Sequence, residues 1–285
     1  MINIYIFGLN GMLGHQIANK LSKNNQFNLR GSSNKRVNQN LFTPKFKIDQ
    51  EIDVINFKKV STILKKFKPN FVINCAGIVK KNSDVKNLKK LYLINSYFPK
   101  NLEKLSKILK FKIIHFSTDC VFNGKKGNYS EKSKLDAIDH YGISKIMGEL
   151  KSKNCFTIRT SIIGHEIKKK KRGLLEWFLM QKKSCYGFKK CFFNGLTTNE
   201  ISNFVEKVLL KRVFLNGVIH IHSKKISKYS LLKKISKIYK KKIKINKSLI
   251  PQIDRSLVSI KNINFYKTPK WDKMIKEMYN EKFDN

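Results

Sequence analysis

In the first half of the chain, short apolar runs alternate with longer segments whose apolar residues recur every three or four positions. The runs consist almost entirely of Ile, Val and Phe, as in strands that are buried on both faces of a sheet. The predicted strands are Ile2–Phe7, Phe27–Arg30, Phe71–Ala76, Lys112–Ser117 and Phe156–Thr160, and the predicted helices are Leu13–Lys23, Val60–Phe67, Leu88–Leu109 and His140–Lys151. This alternation predicts right-handed βαβ units, and therefore an α/β fold with a Rossmann-like, doubly wound parallel sheet.

Beyond Ser161 the pattern is less regular, and shorter elements are predicted. The predicted helices are Leu174–Met180, Asn199–Leu210, Ser227–Tyr239 and Trp271–Tyr279, and the predicted strands are Tyr186–Phe193 and Gly217–His222. We expect residues 1–161 to form one large α/β domain, to which residues 196–222 return. Residues 162–195 and 223–285 would form a smaller C-terminal lobe that is interleaved with it.

Composition changes this picture little. The 285 residues carry a formal net charge of +41, which would suit a nucleic-acid partner. However, arginine, the favoured reader of phosphates and base edges, occurs at only six positions, and the excess is lysine spread over the whole chain. We interpret the charge as a compositional bias, of the kind that an AT-rich genome produces, and expect no nucleic-acid partner.

Membrane insertion and metal binding are not expected either. The longest apolar runs are strand-sized, whereas a membrane-spanning helix needs roughly 20 apolar residues. The five cysteines show no C-x-x-C spacing, so neither a metal site nor a disulfide framework is predicted. Reduced thiols fit the cytoplasm, where we expect the protein to be located.

A glycine motif lies directly after the first predicted strand. Gly8, Gly11 and Gly14 are spaced G-x-x-G-x-x-G and stand where the first helix opens. Glycines here let the backbone turn tightly and approach a pyrophosphate, whose charge sits on the N-terminal amides of the helix. Because the motif lies between a strand and a helix, it predicts a dinucleotide site, and residues 1–161 are expected to be an NAD(P)-binding Rossmann domain.

The segment after the second strand bears on the choice of cofactor. Folds that bind NAD commonly place Asp or Glu here to hold the ribose 2′-hydroxyl. Residues 27–36 contain no acid but offer the cations and polar groups of Arg30, Ser32, Ser33, Asn34, Lys35 and Arg36. Such groups would bind a 2′-phosphate, so NADPH is the predicted cofactor and NADH the second candidate. In so basic a chain, the alternative is that they are ordinary surface residues.

Two segments carry residues that suit chemistry on a carbonyl group. Thr118 stands at the carboxyl end of a predicted strand, where α/β sheets place their ligands. Tyr141 and Lys145 are four residues apart in the sequence, on one face of a predicted helix. An ammonium beside a phenol is expected to lower the pKa of Tyr141, which could then act as a general acid or base. The hydroxyl of Thr118 would polarise the same substrate oxygen.

These motifs resemble those of the extended short-chain dehydrogenases/reductases and, within that superfamily, of the dTDP-4-dehydrorhamnose reductase family. The shared residues are Gly8-x-x-Gly11-x-x-Gly14, Val72-Ile73-Asn74-Cys75-Ala76-Gly77, Asn95, Ser117-Thr118-Asp119-Cys120-Val121-Phe122, Tyr141-Gly142-x-Ser144-Lys145-x-x-Gly148-Glu149, Ile158-Arg159-Thr160-Ser161 and Pro269-Lys270-Trp271. The resemblance covers essentially the whole chain and is specific over residues 1–161.

The resemblance implies roles for individual residues. Thr118, Tyr141 and Lys145 match the family's catalytic set, and the last two also contact the cofactor. The remaining cofactor residues would be Gly8, Asn10, Gly11, Met12, Leu13 and Gly14 at the pyrophosphate, Asp53 and Val54 at the adenine, and Cys75, Ala76 and Gly77 at a ribose. Weaker candidates for substrate contacts are Cys120, Phe122 and Arg255, with the cations between Gly164 and Gly173.

For function, the resemblance implies reduction of the 4-keto group of a 6-deoxy nucleotide sugar, as in dTDP-L-rhamnose biosynthesis for cell-surface polysaccharide. Many family members have Tyr where this chain has Cys120, so a UDP-linked 4-keto acetamido sugar stays open as the substrate. A nucleotide-sugar epimerase is a second alternative, and a dehydratase is disfavoured because Cys120 replaces an expected Glu. A third is a non-catalytic nucleotide-binding subunit like that of methionine adenosyltransferase. A homodimer is compatible with each of these functions.

Overall fold

The computed structural model describes residues 1–43, 45–80, 87–167 and 173–281. In chain order, its strands are β1 (Ile2–Phe7), β2 (Phe27–Ser32), β3 (Lys47–Asp49), β4 (Phe71–Asn74), β5 (Lys112–Ser117), β6 (Cys155–Arg159), β7 (Ile162–Ile163), β8 (Ser184–Phe188), β9 (Cys191–Phe193), β10 (Leu196–Thr197), β11 (Gly217–His220), β12 (Ile226–Ser227), β13 (Lys244–Ser248) and β14 (Ile253–Asp254). Its α-helices are α1 (Met12–Ser22), α2 (Phe57–Phe67), α3 (Leu88–Tyr92), α4 (Phe98–Leu109), α5 (His140–Met147), α6 (Leu174–Met180), α7 (Thr198–Leu210), α8 (Lys228–Ile238) and α9 (Trp271–Asn280).

Within the described residues, seven parallel strands form the central sheet, in the order β11-β6-β5-β4-β1-β2-β3. Strand β1 lies between β2 and β4, so the direction in which strands are added reverses at this point. In open α/β sheets, ligands bind beyond the carboxyl ends of the strands at such a switch point. The carboxyl edge beside β1 and β4 is therefore the expected place of the site.

Alternate side chains of β1 enter two different cores. Ile4 and Ile6 pack into the core that contains residues of α1 and α7, whereas Tyr5 and Phe7 pack into the core that contains residues of α2 and α4. Because both faces of the sheet are covered, nearly every residue of its inner strands can be apolar. The Rossmann-like, doubly wound sheet that the sequence predicts is confirmed.

After Ser161, the described strands other than β11 form three small sheets. Strand β7 pairs with β10, β9 lies between β12 and β14, and β8 pairs with β13. Strand β11 pairs with β6 and thus lies at the edge of the main sheet. The division of the chain into a domain of residues 1–161 and 196–222 and a lobe of the other residues stays a prediction.

Some elements differ from the predicted ones for local reasons. Strand β3 was not predicted, because three residues with a charged one at each end show no apolar run. The predicted strand Tyr186–Phe193 is two strands, β8 and β9, which are separated by a turn at Lys189 and Lys190. Helix α5 ends at Met147, since Gly148 is its C-cap residue. Among the described residues, we find no helix with the length and apolar character that crossing a membrane requires.

Candidate active site

The loop between β1 and α1 is shaped by glycines that approach neighbouring backbone closely. Gly8 has φ +89°, a conformation that residues with side chains rarely adopt, and a Cβ there would lie 2.7 Å from the amide nitrogen of Ala76. A Cβ on Gly14 would collide with the carbonyl oxygen of Gly8. Gly11 is the N-cap residue of α1 and brings no side chain to the amides of the first turn. These amides can bind an anion, so the loop fits the pyrophosphate of a dinucleotide.

The loop after β4 is held to α5 by Asn95. The side chain of Asn95 accepts a hydrogen bond from Ile78 N at 2.9 Å and donates to Ile78 O at 3.0 Å. It also donates to Ser144 Oγ of α5 at 3.1 Å. Asn95 lies in a π-helical turn, Leu93–Tyr97, and turns of this kind are frequent at functional sites. One side chain therefore ties the predicted ribose-binding segment Cys75-Ala76-Gly77 to the helix that carries Tyr141.

Thr118 and Tyr141 come together because a short turn packs against the start of α5. Thr118 caps the 3₁₀ turn Asp119–Val121, and its Oγ1 accepts a hydrogen bond from Cys120 N at 3.1 Å. A Cβ on Gly142 would collide with the carbonyl oxygen of Cys120, so glycine lets the helix approach the turn. The hydroxyl of Thr118 is then close enough to Tyr141 to lower its pKa through a hydrogen bond, against the larger effect of burial.

Lys145 lies one turn after Tyr141 on α5 and is buried. Its Nζ donates a hydrogen bond to the carbonyl oxygen of Phe116 at 2.6 Å. Burial lowers the pKa of Lys145 to about 8, although Glu149 and then Cys75 oppose this effect. Thr118, Tyr141 and Lys145 thus lie together at the carboxyl edge of β5, and their catalytic roles stay a prediction.

The predicted lowering of the Tyr141 pKa by Lys145 is not found in the structure. The sequence suggests that the ammonium lowers the pKa of the phenol, but the pKa of Tyr141 is raised. The main cause is burial, which disfavours the phenolate, while the ammonium of Lys145 is directed to the carbonyl of Phe116. Tyr141 therefore keeps its proton at neutral pH.

On β2, Arg30 is held by the carboxylate of Asp49, a contact that no sequence motif indicates. Arg30 Nε donates to Asp49 Oδ2 at 2.8 Å and Nη2 to Asp49 Oδ1 at 2.5 Å. Tyr5 OH also donates to Asp49 Oδ2, at 2.8 Å. Asp49 is present here because β3 pairs with β2 and places it directly opposite Ser32. Residues 27–36 contain no acid themselves, but β3 supplies one to Arg30.

The residues predicted to bind the 2′ group of the ribose and those predicted to bind the adenine lie in neighbouring segments. Ser32 and Ser33 are buried, and the carbonyl oxygen of Ser32 accepts hydrogen bonds from the amides of Gly8 and Leu9. The amide of Ile52 donates to the carbonyl oxygen of Ser33, which brings the segment of Asp53 and Val54 beside the end of β2. The cationic residues that are exposed here are Lys35 and Arg36, together with the polar Asn34.

Comparison with known proteins identifies the family. Residues 2–281 match the family model described as RmlD substrate binding domain. The chain belongs to this family. It is 28% identical to a dTDP-4-dehydrorhamnose reductase of Aggregatibacter actinomycetemcomitans over 151 aligned residues. These residues make up 52% of this chain and 46% of that protein. It is 26% identical over 146 residues to methionine adenosyltransferase 2 subunit beta of Xenopus tropicalis, which covers 50% of this chain and 40% of that protein.

The fold is also similar to that of solved structures. A crystal structure of dTDP-4-dehydrorhamnose reductase from Bacillus anthracis in complex with NADP aligns with a TM-score of 0.77 and 20% identity, over 99% of this chain and 100% of that one. The resemblance to extended short-chain dehydrogenases/reductases is confirmed for the fold. The chain spans less than half the length of the two curated relatives, so its activity has to be argued from its own residues.

The three weaker substrate candidates lie in different environments. Cys120 is partly buried, and burial raises the pKa of its thiol to about 12, so the thiol is not a nucleophile at neutral pH. Phe122 is fully buried and stacks on Tyr129 at 4.3 Å between ring centroids, so its ring packs inside the protein. Arg255 donates from Nε to the carbonyl oxygen of Phe122 at 2.8 Å and lies near the turn that follows Thr118. The predicted cationic residues 168–172 lie outside the described residues.

Two motif residues to which the sequence assigns no role, Glu149 and Arg159, have central contacts in the structure. Glu149 and Arg159 form a buried ion pair next to β5. The signal in the sequence is the position of Glu149 four residues after Lys145 and that of Arg159 in the next strand. An acid and a base in apolar surroundings are almost always paired when buried. Their pairing across two elements requires the three-dimensional structure.

Proposed function

We propose that the protein uses NADPH to reduce the 4-keto group of a 6-deoxy nucleotide sugar. The observation that carries this proposal is the convergence of Thr118, Tyr141 and Lys145 at the carboxyl edge of β5, beside a glycine loop that fits a pyrophosphate. Membership of the RmlD substrate binding domain family supports it, and the relative from Aggregatibacter bears the name of such a reductase.

The chain's own residues suit the proton side of this reaction. When bound, the nicotinamide would supply a hydride to the sugar carbonyl. Tyr141, kept protonated by its raised pKa, would donate its proton to the carbonyl oxygen as negative charge develops there. Thr118 now donates to Asp119 at 3.1 Å and would exchange this contact for the same substrate oxygen. Lys145 would lie beside Tyr141 and bind the nicotinamide ribose.

The preference for NADPH depends on charge at the end of β2. Lys35 and Arg36 are exposed, and a 2′-phosphate would gain from their positive charge. Arg30 adds less than its charge suggests, because Asp49 already accepts two of its hydrogen bonds. We therefore propose a modest preference for NADPH, with NADH as a working second cofactor.

The direct test mixes the purified protein with NADPH and dTDP-4-keto-6-deoxy-L-mannose and follows the loss of NADPH absorbance. The proposal predicts turnover of this ketosugar, with one NADPH consumed for each product molecule. A parallel reaction with a UDP-linked 4-keto acetamido sugar tests the alternative that Cys120 leaves open. No consumption of NADPH with either sugar would contradict a reductase.

A second candidate is a non-catalytic nucleotide-binding subunit. It is favoured by the similarity to methionine adenosyltransferase 2 subunit beta. This candidate predicts that the protein binds NADPH without consuming it and co-purifies with a methionine adenosyltransferase. An epimerase would instead interconvert nucleotide sugars with no net loss of NADPH, so product analysis separates all three.

A further inference from the structure

A buried carboxylate lies behind the catalytic residues and is not used in the proposed reaction. Glu149 is 2% exposed, and its carboxylate accepts hydrogen bonds from Arg159 Nε and Nη2, each at 2.6 Å. It also accepts from Ser117 Oγ at 2.7 Å. Glu149 lies two residues beyond the end of α5, which carries Lys145, and Ser117 directly precedes Thr118. One carboxylate is therefore connected to both catalytic segments.

Two hydrogen bonds to consecutive residues hold the end of β5. Phe116 accepts from Lys145 through its carbonyl oxygen at 2.6 Å, and Ser117 donates to Glu149 through its hydroxyl. The next residue in the strand direction is Thr118. The distance between Thr118 and the helix that carries Tyr141 is thus set by contacts of Lys145 and Glu149 with two consecutive residues.

Arg159 is fixed in turn from its far side. Its Nη1 lies 3.2 Å from His220 Nε2. His220 Nδ1 faces two carbonyl oxygens, of Val258 at 2.9 Å and of Tyr129 at 3.1 Å, so Nδ1 must carry the hydrogen and Nε2 must accept from Arg159. Burial lowers the pKa of His220, which favours this neutral form. The guanidinium therefore has a defined orientation, which holds the Glu149 carboxylate in place.

If Glu149 and Arg159 served only the stability of the fold, they would not need to be charged. Replacing a buried ion pair by apolar residues of similar volume is often neutral or stabilising. A charge is required, however, by a buried ammonium. Lys145 is 7% exposed, and the transfer of its charge out of water is unfavourable unless negative charge lies nearby.

The groups that face Lys145 come from several elements. Cys75 lies on the loop after β4, and burial raises the pKa of its thiol, so it is neutral. His115 lies on β5, and burial lowers its pKa well below the usual value, so it is neutral too. Tyr141, one turn earlier on α5, is also protonated. Among these facing groups, Glu149 is the carboxylate. Two cations contact it in turn: Arg159 forms an ion pair with its side chain, and Lys100 Nζ donates to its carbonyl oxygen at 2.6 Å.

We infer that Glu149 is a positioning residue, which supplies the negative charge that keeps Lys145 an ammonium and holds Ser117 so that Thr118 stays opposite Tyr141. This inference rests on the proposed reductase function. It assigns to Glu149 an effect on the charge of a neighbouring group, which a purely structural residue would not have.

The test is the pH dependence of kcat in Glu149→Gln. Loss of a neighbouring opposite charge changes a pKa by roughly one to three units. The wild-type protein should lose activity as the pH rises through about 8, where Lys145 gives up its proton. In the variant, this loss should begin at a pH that is lower by about one unit or more. NADPH binding, followed by fluorescence, should weaken over the same pH range.

Two further variants keep the test valid if Glu149→Gln folds poorly. The double variant Glu149→Gln with Arg159→Gln leaves no unpaired buried charge. Its profile should shift in the same direction as that of Glu149→Gln but by less, because the positive charge of Arg159 is removed too. Glu149→Asp retains the charge, and its profile should stay that of the wild type even if kcat falls. A shifted profile in the Asp variant, or unshifted profiles in both Gln variants, would overturn the inference.

Glu103→Gln is the matched control. Glu103 is also a carboxylate with several hydrogen bonds, to the amides of Lys151 and Ser152, but it does not face Lys145. Its loss should lower the temperature of unfolding without moving the pH profile. If the wild-type protein binds NADPH yet reduces neither ketosugar, the proposed function fails. The pH dependence of NADPH binding in the Glu149 variants then still decides the inference.

Discussion

Two parts of the candidate site are built in different ways: the part around Thr118, Tyr141 and Lys145, called the catalytic end, and the part around Arg30, Ser32 and Ser33, called the adenosine end. At the catalytic end, the contacts are buried and join two consecutive residues of β5 to α5 and the residues after it: Phe116 to Lys145 and Ser117 to Glu149. At the adenosine end, the decisive contact joins Arg30 to Asp49 across two strands, and the remaining cations are exposed. A rigid, desolvated group can tune chemistry, whereas exposed charges act weakly and are screened by salt.

This difference suggests a division of tasks. Substitutions at the catalytic end should change the rate by orders of magnitude, because proton transfer requires one group in one place. Substitutions at the adenosine end should change the choice between NADPH and NADH by small factors, since an exposed ion pair contributes about 1 kcal/mol or less.

The largest effect is expected for Tyr141→Phe, which removes the proposed proton donor and leaves the ring. Turnover should fall by about 10²- to 10⁴-fold. The affinity for NADPH should stay within a few-fold of the wild-type value, as measured by fluorescence titration. Tyr97→Phe is the control, because Tyr97 is 56% exposed on a neighbouring helix and should be neutral. Near-normal turnover in Tyr141→Phe would remove this residue from the mechanism.

Lys145→Met should have the next largest effect and should act on two quantities. It removes the ammonium that we place beside Tyr141 and the nicotinamide ribose, so both kcat and NADPH affinity should fall. Steady-state kinetics and direct cofactor binding measure the two separately. If only binding weakens while kcat is retained at saturating NADPH, the role beside Tyr141 is wrong.

Asp49→Asn tests the adenosine end. The substitution should release Arg30 for a 2′-phosphate, so the ratio of kcat/KM for NADPH to that for NADH should rise by roughly two- to tenfold. Added salt should reduce this gain, because Arg30 is partly exposed. Glu51→Gln removes an exposed charge nearby and should leave the ratio almost unchanged. An unaltered ratio in Asp49→Asn would show that Arg30 does not reach the cofactor.

Cys120→Ser is expected to have the smallest effect. Because the thiol is protonated at neutral pH, it does not take part as a nucleophile, and turnover should stay within a few-fold of the wild-type value. A loss as large as that of Tyr141→Phe would indicate that Cys120 acts in the chemistry.

The contrast also explains how much the sequence could predict. Spacing within one helix predicts that Tyr141 and Lys145 share a face, and apolar periodicity predicts the strands of the central sheet up to β6, except for β3. Asp49 could not be assigned, because β3 has only three residues and its pairing with β2 depends on the rest of the sheet. The sequence also could not predict that the pKa of Tyr141 is raised, since the cause is burial, which is a property of the folded protein.

The central claim is that this site transfers a hydride to a sugar and a proton from Tyr141, and isotope transfer tests it most directly. The protein is incubated with NADPH that carries deuterium at the transferable position of nicotinamide C4 and with dTDP-4-keto-6-deoxy-L-mannose, and the product is examined by mass spectrometry and NMR. The account predicts one deuterium at C4 of the sugar for the wild-type protein and almost none for Tyr141→Phe. Binding of NADPH without deuterium in any sugar product would contradict it.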